Sequence, residues 1–195
     1  MAALLREAVA RAHDFLLEPA QAGSVNGCCA HSQTEVVVLG LSAGCGVTTL
    51  ARGLVLSLQI PGERPSHLLT IGDGADHGHK VAPPAGSPSA LVWDVASSDA
   101  AMARGVAQRA NAVVLVAGMG SEPALAEVAA RMLGEDFGRV VLVANRVTDA
   151  SRWSGRPELC VPESRLGAAL LGRGRRPAGA FGAALARLAD LVEER

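Results

Sequence analysis

From Glu35 onward the chain alternates short, unbroken apolar runs with stretches of helical periodicity, and that alternation leaves few ways to fold. A strand that is apolar on both of its alternating faces has to be covered on both. Such runs read as parallel strands inside an α/β sandwich rather than as a sheet with one wet face. They predict strands at 35–40, 67–71, 90–95, 112–117, 139–144 and 158–161, with helices at 48–59, 98–109, 122–133, 164–171 and 178–193 between and after them. The expected fold class is α/β, a doubly wound, mostly parallel sheet in three layers, with ligands at the carboxyl ends of the strands. A chain of 195 residues, 49% of them hydrophobic, supplies one such core.

Ahead of the sheet, residues 1–18 read as an amphipathic helix, with Leu5, Ala8, Val9, Ala12 and Leu16 at helical spacing and Glu7 four positions before Arg11. A Gly-, Ser- and Cys-rich linker over 19–34 joins this helix to a main domain at 35–195. Charges at Arg6, Glu7, Arg11 and Asp14 interrupt any apolar core of a signal peptide, so the expected location is cytoplasmic. Basic and acidic residues number 18 and 19, and this balance provides no global field to draw the chain onto nucleic acid or membrane. Cys28, Cys29, Cys45 and Cys160 contain no C-x-x-C pair and read as free thiols.

The first strand runs into Gly40-Leu41-Ser42-Ala43-Gly44-Cys45-Gly46-Val47-Thr48-Thr49 and then directly into a helix. A phosphate-binding P-loop uses this order: glycines let successive N–H groups wrap the anion, a lysine bridges the outer phosphates, and a hydroxyl holds magnesium. Gly44 and Gly46 meet the first need and Thr48 the third, but Val47 stands where the lysine belongs. Lys80 is the only lysine in the chain, so none lies nearby in sequence. Glycines at such a turn also serve without a ligand, simply by letting strand pass tightly into helix.

Taken together, the segments resemble the MinD/ParA family of P-loop ATPases, in particular its CpaE/TadZ-like branch, over residues 35–193. Gly44, Gly46, Thr48 and Thr49 match the family's loop, while Ser42 and Val47 occupy its two lysine positions. In the second strand Ile71 replaces one of two spaced aspartates and Asp73 remains. Leu91-Val92-Trp93-Asp94 resembles the strand whose aspartate orders magnesium, and Val141 to Arg146 resembles the strand ending in the asparagine that contacts a purine, here Asn145. The resemblance implies a P-loop NTPase-like sandwich with a nucleotide site at Gly44, Cys45, Gly46, Val47, Thr48, Thr49, Asp94 and Asn145. Thr48 and Asp94 would be the magnesium residues.

Without either lysine, the same resemblance implies a pseudo-ATPase with residual ATP and magnesium binding only. Loss of one stabiliser of transferring charge lowers a rate by about a hundredfold to a thousandfold. Such a protein would act as a binding or scaffold protein, through a homodimer or a protein partner, in a positioning, pilus or division apparatus. Two alternatives stand beside it. One is an active ATPase that recruits Arg52 or Lys80 as its cation; the other is a DNA-associated partitioning factor using Arg173, Arg175 and Arg176.

The remaining features weigh less. Asp73, Asp76, His77 and His79 carry metal-ligating side chains in an expected loop at 72–89, with no distant ligand to complete a set. Cys45 sits before a helix N-terminus, which lowers a thiol pKa, but no histidine stands near it in sequence. The N-terminal helix carries acids as well as bases on its polar face, favouring packing on protein over contact with a membrane.

Overall fold

A computed structural model describes residues 34–59, 65–71, 89–95, 100–148, 150–153 and 157–194. The helix and linker expected before Thr34, and the loop with Asp73, Asp76, His77, His79 and Lys80, lie outside the described residues. Six strands alternate with helices: β1 (Thr34–Gly40), α1 (Val47–Leu58), β2 (His67–Ile71), β3 (Ala90–Val95), α2 (Ala100–Ala107) and β4 (Ala112–Ala117) come first. Then follow α3 (Pro123–Phe137), β5 (Val140–Val147), a short 3-10 turn (Ala150–Trp153), β6 (Leu159–Pro162), α4 (Arg165–Gly172) and α5 (Gly179–Glu193).

All strand pairs are parallel, in the order β2-β3-β1-β4-β5-β6. Alternation along each strand divides the core in two. Val36 and Val38 of β1, Val114 and Val116 of β4, and Val141 and Val143 of β5 meet Leu50 and Leu54 of α1 and Leu185 and Leu188 of α5. Val37 and Leu39, Val113 and Leu115, and Leu142 and Ala144 face the other way, toward Val106 of α2 and Ala126 and Leu133 of α3. The result is an α/β fold with an all-parallel, doubly wound sheet between two helical layers, compatible with a P-loop NTPase-like three-layer sandwich.

β1 lies at the centre, and its successor helix α1 packs on one face while the helices after β3 and β4 pack on the other. The carboxyl end of β1 is therefore the topological switch point, where a crevice opens in sheets of this kind. Most elements begin and end within a residue or two of their expected bounds. The exceptions are α3, which continues to Phe137, and β5, which continues past Ala144 through Asn145 and Arg146 to Val147. β5 extends because its ladder with β6 tolerates an irregularity: Asn145 pairs with Val161 and Val147 with Pro162, leaving Arg146 as the extra residue of a bulge.

Helix α5 holds the α1 face through an apolar stripe of Phe181, Ala184, Leu185, Leu188 and Val192 at three- and four-residue spacing. Where α5 crosses α1, a Cβ on Gly53 would lie 2.6 Å from Leu185 Cδ2. Gly53→Ala is expected to destabilise the fold by about 1 kcal/mol in urea denaturation, overpacking outweighing the gain in helix propensity. A more stable variant would show that the two helices can move apart freely.

Candidate functional site

The glycine turn is built by backbone geometry rather than by side-chain caps. Gly44 and Gly46 have φ of 73° and 98°, and Gly46 is the N-cap of α1 without a side-chain cap bond. The Cys45 N–H donates to the Ser42 carbonyl at 3.3 Å, and the Leu50 N–H donates to the Gly46 carbonyl at 3.0 Å as α1 begins. Before that first bond the N–H groups of the α1 N-terminus have no acceptor within the helix, and they carry the positive end of its dipole. Thr48 and Thr49, both half-buried, lie in this first turn.

Two residues expected around the ligand turn inward instead. Cys45 and Val47 are 3% and 8% exposed and belong to the core on the α1 face. A Cβ on Gly40 would fall 2.7 Å from both Cys45 Sγ and Val47 Cγ2, and one on Gly118 would fall 3.1 Å from Cys45 Cα. The turn is thus pressed against the ends of β1 and β4. Val47 supplies packing where the resemblance would place a cation. Burial pushes the Cys45 thiol up from its ordinary pKa, outweighing the surrounding backbone hydrogen bonds that pull it down, so the buried thiol is not an activated one.

Asn145 secures the turn from the side. Its amide Nδ2 donates to the Cys45 carbonyl at 2.8 Å, and its Oδ1 accepts from the Arg146 N–H at 3.0 Å. The side chain is 4% exposed. In the resemblance Asn145 contacts a purine; in this structure its amide joins β5 to the glycine turn. That contact runs between residues a hundred positions apart, and no local pattern announces it.

Asp94, at the carboxyl end of β3, is fully buried, and neither carboxylate oxygen has a hydrogen-bond partner. It is paired in register with Val38 and Thr70, and it shares the α1-facing side of β3 with Val92. Desolvation raises its pKa above the usual carboxylate value. The Thr48 hydroxyl and, at longer range, the Arg52 guanidinium pull it down, but the Thr48 approach falls short of hydrogen-bond geometry and burial dominates. An orphaned, buried carboxyl beside a threonine hydroxyl is the kind of oxygen donor pair that a hard cation such as magnesium takes.

The structure therefore brings Gly44, Gly46, Thr48, Asp94 and Asn145 to one end of the sheet and diverts Cys45 and Val47 into the core. Arg176 donates to the Gln59 carbonyl at the end of α1 at 2.6 Å, which ties one member of the expected basic cluster into the fold. Arg173 and Arg175 are exposed. Among the described residues there is no group of three or more His, Cys, Asp or Glu placed to hold a metal, and no helix long and apolar enough to cross a membrane. No protein-family model matches the chain, and no curated protein does.

Proposed function

We propose that the chain is a MinD/ParA-like pseudo-ATPase, a protein that holds a magnesium-bound nucleotide at the glycine turn without turning it over and acts as a cytoplasmic binding or scaffold protein. The observation that carries this reading is the pairing of a sealed, partnerless Asp94 beside Thr48 with a Val47 packed into the core. The first keeps a place for a cation, and the second removes the charge that phosphoryl transfer needs. When bound, magnesium would neutralise phosphate charge; Thr48 and Asp94 would hold it, and the N–H groups of the turn would face the phosphates. The setting in a positioning, pilus or division apparatus, and the use of a homodimer or protein partner, rest on the resemblance.

The test is magnesium-dependent hydrolysis of ATP and GTP by purified protein, compared with Thr48→Ala. The expected result is turnover at the level of that control. Turnover clearly above it, abolished by Asp94→Ala, would establish instead an active ATPase. Arg52 favours that second reading only in part: its charge reaches Asp94, where it stabilises a carboxylate.

A further inference from the structure

The bulge in β5 isolates one residue that neither composition nor motif singles out. Arg146 has a φ of 60°, the one positive value among non-glycine residues described, and its extra position in the β5–β6 ladder releases it from the strand's alternation. Bulges of this kind re-aim side chains beside functional sites. Its backbone N–H is held by the Asn145 amide, whose other end holds the Cys45 carbonyl, so a single side chain separates the Arg146 backbone from the glycine turn. Arg146 is exposed, and no carboxylate among the described residues pairs with it.

We infer that Arg146 supplies the cation that the turn lacks, its guanidinium contacting the phosphate groups of a ligand held at Gly44 to Thr48. The inference rests on reading the turn as a phosphate site. The independent sign of a ligand there is Asp94, fully buried, without a partner and next to the first turn of α1. A guanidinium presents several donors in a planar fork that suits phosphate oxygens, and it stays charged at any pH the protein meets. In this role Arg146 is a binding residue for a polyphosphate. It replaces the charge of the missing lysine but approaches from β5 rather than from within the loop.

The experiment exploits the unusual backbone. At a φ of 60°, glycine is more comfortable than arginine, so Arg146→Gly removes the guanidinium without threatening the fold; Arg146→Asn, also tolerant of this conformation, serves as a second variant. Calorimetric titration with magnesium and ATP, and separately with magnesium and inorganic triphosphate, is expected to show about 10- to 100-fold weaker binding for both variants, with melting temperatures at or above that of the parent. Arg146→Lys should recover part of the loss, and Arg109→Ala, which removes an exposed charge elsewhere, should leave affinity unchanged. Binding by Arg146→Gly within twofold of the parent would overturn the inference while leaving the phosphate site intact. If the parent protein binds neither probe at millimolar concentration, the reading of the turn fails and this inference fails with it.

Discussion

Gly46→Ala is expected to lower the stability of the protein by about 3 kcal/mol, a fall of about 10 °C in melting temperature for a chain of this size. Two costs combine. The backbone at Gly46 has a φ of 98°, which an L side chain adopts only under strain. The added Cβ would also strike the Asn145 amide nitrogen, forcing it off the Cys45 carbonyl and leaving both groups buried without their bond. Asn145→Ala separates the contributions, because it loses the hydrogen bond and keeps the glycine. Chemical denaturation should find it less damaging than Gly46→Ala, and the double variant should be less destabilised than the sum of the two, since the methyl then enters vacated space. Strict additivity would mean that Asn145 does not clamp the turn.

Asp94→Asn should act in the opposite direction, stabilising the ligand-free protein at pH 7 by about 2 kcal/mol. The sign follows from linkage. The folded pKa of Asp94 lies above its ordinary value of 3.8, so the folded chain binds the proton more tightly than the unfolded chain does. Its favourable contribution is complete below the unfolded pKa and disappears as pH rises through the folded one. Once ionised, a buried carboxylate without a hydrogen-bond partner works against the fold. Denaturation at pH 7 and at pH 3 should therefore show a clear gap between Asp94→Asn and the parent at the higher pH and almost none at the lower. Magnesium with ATP should raise the melting temperature of the parent more than that of the variant. A variant less stable than the parent at pH 7 without ligand would show that Asp94 is already satisfied in the empty protein.

The layered sheet was legible because unbroken apolar runs have only one kind of environment, and Val36, Val38, Val114 and Val116 on one face with Val37, Leu39, Val113 and Leu115 on the other bear this out. The glycine turn was equally plain, since Gly44 and Gly46 do adopt backbone angles that demand glycine. What could not be read was the direction of side chains at the turn. Cys45 and Val47 look like loop residues in sequence, and they become core only because Gly40, at the end of β1, and Gly118, just after β4, lie beneath them. The same limit hid the clamp from Asn145. Its partner is fixed by strand order, with β4 between β1 and β5, and a pattern local to either segment carries no trace of it. The position of Arg146 is equally silent in sequence, because a bulge exists only where two strands are paired.

The orphaned Asp94 and the core-facing Val47 together support the proposal that the turn keeps its ligand and has lost its chemistry. The most direct test titrates purified protein with ATP in the presence and absence of magnesium by calorimetry and follows phosphate release in the same samples. Saturable binding that requires magnesium, with phosphate release no faster than in Thr48→Ala, is the predicted result. Release well above that control, or no heat of binding at millimolar ATP with magnesium, would contradict it.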